Sequence, residues 1–253
     1  MKKVSLLFSL MLIFSFNGIS ASAASKEDAL TAVVNFLKAQ KSCDAEKMMN
    51  NSEYFLKVDN VKEMYTSYCR QNQLQHAKIT DISLINEDTA LVSIQSTYKN
   101  MVNIRTAPVI KKDGQWKVVI GVPPSGVKSR KERNPTGKEA EIEQFFKDYT
   151  TAIKAKDIQK MKTFVKIVRD SSKEKIDNHL EALTQQPTPE VITYGINIIS
   201  ENLAIAQTEI KYPNHSYMQN LSVMNENGQW KLIFGHPLTN SIIPKTGNSI
   251  DVK

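Results

Sequence analysis

The sequence predicts an α+β protein built from two similar domains in tandem, each with helices first and an antiparallel sheet after them. Three observations carry that prediction. A nonapeptide, Asp113-Gly114-Gln115-Trp116-Lys117-Val118-Val119-Ile120-Gly121, returns as Asn227-Gly228-Gln229-Trp230-Lys231-Leu232-Ile233-Phe234-Gly235. The start of each half shows apolar residues at helical spacing. The end of each half shows strand-type alternation closed by an Asp-Gly or Asn-Gly turn. At the same offset of 114 residues Ile82 meets Ile196, Ile85 meets Ile199, Glu87 meets Glu201, Ala90 meets Ala204, Tyr98 meets Tyr212, Asn100 meets Asn214, Val109 meets Val223 and Pro123 meets Pro237. A self-match this long marks a duplicated domain, since solenoid units run about 20–50 residues.

The helices come first. Ala29, Val33, Phe36, Leu37 and Gln40 share one helix face, and Ile142, Phe145, Phe146, Tyr149 and Ile153 make the same stripe in the second half. Ser25 with Asp28, and Thr136 with Glu139, have capping-box spacing and predict the two helix starts. Asp44 and Asp157 each open a short second helix, because an aspartate there can accept from the free N–H groups of a first turn. A third helix carries Val61, Met64, Tyr65 and Tyr68, matched by Ile176, His179, Leu180 and Leu183. Strands follow: Ala90, Val92 and Ile94 alternate with polar neighbours, as do Ala204, Ala206 and Thr208. Closing strands run from Trp116 to Ile120 and from Trp230 to Phe234, with both tryptophans expected in the core. Helices segregated ahead of an antiparallel sheet define the α+β class.

The first residues have a different grammar. Lys2 and Lys3 precede an apolar run from Val4 to Phe16, and Ala21-Ser22-Ala23 supplies an A-x-A site. That is the pattern of a secretory signal peptide, cleaved after Ala23. The run is too short for a span of about 20 residues, so no transmembrane segment is expected after cleavage. The expected organisation is therefore a signal peptide over 1–23, a first domain over 25–123, a basic linker over 124–135, a second domain over 136–238 and a polar tail over 239–253. The expected localisation is secreted, on a bacterial cell-envelope-facing side. Pro123-Pro124-Ser125-Gly126 and the cluster Lys128, Arg130, Lys131 and Arg133 mark the linker.

Composition excludes more than it names. The chain has 253 residues, 41% apolar and 23% charged, which excludes a disordered protein. Two cysteines and four scattered histidines argue against a zinc site, and no cofactor is expected. Loss of Lys2 and Lys3 lowers the formal charge from +7 to +5, spread along the chain without the basic–aromatic interleaving of a nucleic-acid reader. Such a charge suits weak attraction to anionic envelope polymers.

Three helices, a curved sheet and a closing Gly-x-Trp-Lys strand, carried here by Gly114-Gln115-Trp116-Lys117 and Gly228-Gln229-Trp230-Lys231, resemble the nuclear transport factor 2-like fold, also called ketosteroid-isomerase-like. The resemblance covers about 25–123 and 136–238. It implies two cone-shaped domains, each with helices closing over a concave sheet around a pocket, and dimerisation through the sheets. Its enzymes place carboxylates, histidines or tyrosines in the cone, and no such constellation maps residue by residue onto this chain.

Candidate residues are therefore few. Tyr65, Tyr68, Tyr98 and Tyr212 could line a pocket with aromatic faces and polar tips. His179, on an apolar stripe, is expected to point inward and could titrate near neutral pH. His215 and His236 read as surface residues near strand ends, and His76 stands alone. Cys43 and Cys69 are expected to form a disulfide after export, closing a loop of about 27 residues worth roughly 3–4 kcal/mol. Ser172-Lys173-Glu174-Lys175 and Lys245-Thr246-Gly247 match fragments of the β-lactamase signature without its S-D-N element, and Ile243 to Gly247 matches a sortase motif without the apolar segment it needs. The expected function is a secreted, non-enzymatic binding protein for a small ligand or a cell-envelope or protein partner. The alternative is an isomerase, dehydratase or hydrolase working in one cone.

Overall fold

The computed structural model describes residues 17–122, 134–169 and 173–245. The predicted signal run over 4–16, the basic cluster of the linker and Ser172 lie outside the described residues. In the first half the order is α1 (Asn17–Ser42), α2 (Ala45–Asn50), β1 (Ser52–Tyr54), α3 (Val61–Gln71), β2 (His76–Asn86), β3 (Thr89–Thr97), β4 (Met101–Lys112) and β5 (Gln115–Ile120). The second half runs α4 (Lys138–Lys154), α5 (Ile158–Thr163), β6 (Val165–Ile167), α6 (Lys173–Gln185), β7 (Glu190–Ile198), β8 (Leu203–Lys211), β9 (Ser216–Glu226) and β10 (Gln229–Phe234), followed by β11 (Asn240–Pro244). The class is α+β.

The same local chemistry occurs in both halves. Asp44 caps α2 by accepting from the Lys47 N–H at 3.0 Å, and Asp157 caps α5 by accepting from that of Lys160 at 2.8 Å. Each is preceded by a residue in the left-handed region, Cys43 at φ 54° and Lys156 at φ 56°. Asp113-Gly114 and Asn227-Gly228 all have positive φ, as a two-residue hairpin requires. Two expected starts differ. α1 runs through Ser25, so no cap forms there, and α4 takes Gly137 as its N-cap without a side-chain hydrogen bond.

The sheets are mixed, a correction to the expected antiparallel ones. Their orders are β1-β5-β4-β3-β2 and β6-β10-β9-β8-β7, and the edge strands β1 and β6 run parallel to β5 and β10. A three-residue strand is too short to show alternation, so this edge leaves no trace in the sequence pattern. The tail is also more than polar: Asn240–Pro244 pairs antiparallel with Met101–Arg105, bringing a strand from the end of the chain onto the first sheet.

Each sheet buries both faces. Ala90, Val92, Ile94, Val109 and Val118 face α1 and α3, and Ala204, Ala206 and Val223 face α4. The opposite faces meet each other: Leu91, Ile110 and Val119 pack with Leu203, Ile205, Met224 and Ile233 in one apolar cluster. A fully buried leucine contributes about 2–3 kcal/mol, so this seam ties the two halves firmly. Among the described residues no helix is long and apolar enough to cross a membrane.

Candidate functional site

The helix-covered face of the first sheet has a polar end. Residues of β4 alternate, and Met101 and Ala107 pack with the helices, so Asn103 and Arg105 share that side. Asn103 lies opposite Ser96 on β3 and Ile242 on β11, while Arg105 lies opposite Ile94 and Asn240. Tyr98 continues the Ser96 side, and Gln40 descends from the end of α1. The Gln40 Nε2 donates to the Tyr98 hydroxyl at 3.1 Å, and the Tyr68 hydroxyl donates to the same oxygen at 3.4 Å. Tyr65 is deeper, with its hydroxyl 2.7 Å from Ser52 Oγ. The structure thus brings Tyr68 and Tyr98 together, with Tyr65 behind them.

Ser96, Asn103 and Arg105 escaped sequence reasoning, because polar residues inside a strand pattern read as solvent-facing, whereas Gln40 stands on the helix face that the sequence predicts, without a role assigned to it there. Gln40 and Ser96 are only 3% and 2% exposed. Among the described residues Gln40 Oε1, Ser96 Oγ and Asn103 Oδ1 are buried without a hydrogen-bond partner. Such atoms cost about 1–3 kcal/mol each unless something satisfies them. Arg105 has no ion pair among the described residues, yet its charge acts on the Tyr65 and Tyr68 hydroxyls. Burial nevertheless raises both hydroxyls above the ordinary tyrosine value, Tyr68 further because it donates to Tyr98. They remain protonated at neutral pH and serve as hydrogen-bonding groups.

The other predicted residues lie elsewhere. Tyr212 stacks on His215 with ring centres 4.9 Å apart, and Tyr217 joins them on the surface of the second half. His179 is exposed rather than inward, its ring 5.4 Å from that of Phe234. Helical stripes fix which residues share a side but not how far a sheet reaches across it, so the stripe overstated its burial. Partial desolvation still lowers the His179 pKa below the usual imidazole value. Cys43 and Cys69 carry free thiols here, so the expected disulfide is absent from this structure. They are nonetheless neighbours. The Cys69 thiol donates to the Gln40 carbonyl at 3.1 Å, and burial, reinforced by Cys43, pushes its pKa up to about 12.

His236 is the largest departure from expectation: it is 1% exposed rather than on the surface. Its Nδ1 lies 2.8 Å from Ser83 Oγ and 3.2 Å from the Asp81 carboxylate, and its Nε2 lies 3.0 Å from Ser93 Oγ. Asp81 pairs with Arg169 of the second half. The order Ser93–His236–Asp81 has the connectivity of a nucleophile triad. The setting is different, since Ser93 lies mid-strand, shares its hydroxyl with Thr106 at 3.2 Å, and faces the seam between the halves. Burial, then the Arg169 charge, lowers the His236 pKa to about 4, so the imidazole is neutral. The cluster is a polar latch between the two halves. Among the described residues no three His, Cys, Asp or Glu side chains converge on a metal-sized site.

A groove of about 410 Å³ opens between Met49, Leu56, Val58 and Val61, with Lys57 and Lys117 at its rim. It contains none of the predicted residues.

No family model and no curated protein matches the chain. Solved structures similar to it include an NTF-2-like protein of unknown function from Silicibacter pomeroyi DSS-3, at 12% identity and a TM-score of 0.32 over 39% of this chain and 95% of that one. An Ntf2-like protein involved in plasmid conjugation matches at 14% identity and 0.27, covering 79% and 93%. A cystatin-like protein from Ruminococcus gnavus ATCC 29149 matches at 10% and 0.26, covering 85% and 90%. Two of these three structural neighbours are described as NTF2-like.

Proposed function

We propose that this chain is a secreted, non-enzymatic binding protein of two tandem nuclear-transport-factor-2-like cones, with a small-ligand site in the first. The observation that carries the reading is the set of three partnerless buried polar atoms, on Gln40, Ser96 and Asn103, gathered beside Tyr98. Native cores keep few such atoms, and a group of them in one place calls for a partner such as a ligand or water. The titratable groups flanking that set, Tyr65, Tyr68 and Cys69, are all pushed upward, which suits recognition rather than proton transfer at neutral pH. Secretion rests on Lys2, Lys3, the apolar run and Ala21-Ser22-Ala23. Export would also let Cys43 and Cys69 join, since their thiols already adjoin.

Native mass spectrometry of protein from the culture medium, beside its denatured mass, tests this. The expected denatured mass begins at Ala24 and lacks two hydrogens. The expected native spectrum shows an adduct that Tyr98→Phe diminishes. A chain found only inside cells, still carrying residues 1–23, would overturn secretion. An adduct indifferent to Tyr98→Phe would overturn the site.

A further inference from the structure

The two halves differ where the polar set lies. At the matching positions of the second half, Gln40 becomes Ile153, Ser96 becomes Ile210, Asn103 becomes Tyr217 and Arg105 becomes Gln219. Four polar positions from a helix and two strands therefore converge in one half and are replaced together in the other, with the charge removed. Packing alone does not ask for this, because the second half builds the same strand order without them.

The inventory of unmet bonds defines what fits. Arg105 offers only donors and a fixed positive charge, and it is half-buried with no carboxylate paired to it among the described residues. Gln40 Oε1 and Asn103 Oδ1 are acceptors awaiting donors, and the Ser96 hydroxyl can do either. Apolar surface flanks them: Tyr68 is 37% exposed and Ile242, on the same side as Asn103, is 61% exposed. β11 thus supplies one wall, and Lys245 holds that wall in place by donating to the Tyr98 carbonyl at 2.6 Å.

Resting on the binding reading above, we infer that this site takes a small carboxylic acid that also carries an N–H donor and an apolar group, as an N-acylated amino acid or a peptide C-terminus does. The carboxylate pairs with the Arg105 guanidinium, the N–H donates to Gln40 or Asn103, and the apolar group lies between Tyr68 and Ile242. The recognition is charge-assisted, the stronger class of hydrogen bond.

The test is titration of the purified protein with N-acetyl-L-phenylalanine and, separately, its neutral amide, followed by amide NMR shifts. The acid is expected to give saturable shifts over 96–105 and to bind about tenfold tighter than the amide. Arg105→Gln, which installs the second half's residue, should erase that preference, and Arg105→Lys should restore part of it. Well-dispersed spectra of both variants show that they fold. Equal affinity for acid and amide, with Tyr98→Phe weakening both, would overturn the anion assignment and leave the binding site standing. Absence of saturable shifts from either compound up to about 20 mM, a limit beyond specific recognition, would overturn this inference alone if the native adduct is present, and both readings if it is not.

Discussion

Acidification offers a direct measure of the latch that joins the two halves. His236 is neutral in the folded chain because its pKa falls from 6.5 to about 4, through burial and the nearby Arg169 charge. The groups facing it are Asp81 and the hydroxyls of Ser83 and Ser93, and Asp81 is already engaged by Arg169. An unfolded histidine takes a proton near pH 6.5, whereas the folded one resists until about pH 4. Through that window the unfolded state binds more protons, so stability falls as pH falls. The interval from 6.5 to about 4 corresponds to roughly 3 kcal/mol, present in full above pH 6.5 and lost by about pH 4. Glu226, held near 2 by Lys166 and Lys231, loses its own contribution as pH falls through 4.5 towards 2, at the acid end of this window and below it. Urea unfolding at intervals from pH 7.5 to about 4 reads the slope directly. His236→Gln keeps a hydrogen-bonding side chain without a titrating one, and should flatten the curve over this window while lowering stability at pH 7 by about 1–3 kcal/mol. Parallel pH curves for the variant and the parent would refute the latch.

Further outcomes follow from single contacts. Leu203→Ala empties a fully buried position in the seam and should cost about 2–5 kcal/mol, with both halves unfolding earlier in one transition by tryptophan fluorescence and circular dichroism. Gly121→Ala places a methyl 2.7 Å from the Tyr54 ring at φ +78°, so a loss of about 2–3 kcal/mol is expected in chemical denaturation, and an unchanged midpoint would contradict the geometry. Under reducing conditions iodoacetamide should label half-buried Cys43 well before Cys69, whose thiol titrates near 12. Oxidation should remove both reactive sites and add about 3–4 kcal/mol. Equal labelling rates would contradict the difference in burial, and oxidised monomer retaining two free thiols would contradict their adjacency.

The sequence by itself determined the order of the helices and the closing hairpins, because local chemistry suffices for them, but not the short strands β1 and β6 or the strand β11. Asp44 and Asp157 cap helices, Asp113-Gly114 and Asn227-Gly228 turn hairpins, and Ala90, Val92 and Ile94 face the helices through a period of two. Each of those signals is decided within a few residues of chain. Tertiary structure alone decided what the other face of each strand meets. Leu91 and Leu203 share one cluster that a linear pattern leaves ambiguous, and His236 is buried beside Ser83 and Ser93 instead of exposed. The strand Asn240–Pro244 gains its partner from Met101–Arg105, more than a hundred residues away, and so sets Ile242 opposite Asn103, a placement that neither stretch announces. Ser96, Asn103 and Arg105, and the role of Gln40 on its predicted helix face, were invisible for the same reason: polarity in a sequence states a need for partners, and only the assembled fold shows that those partners are missing.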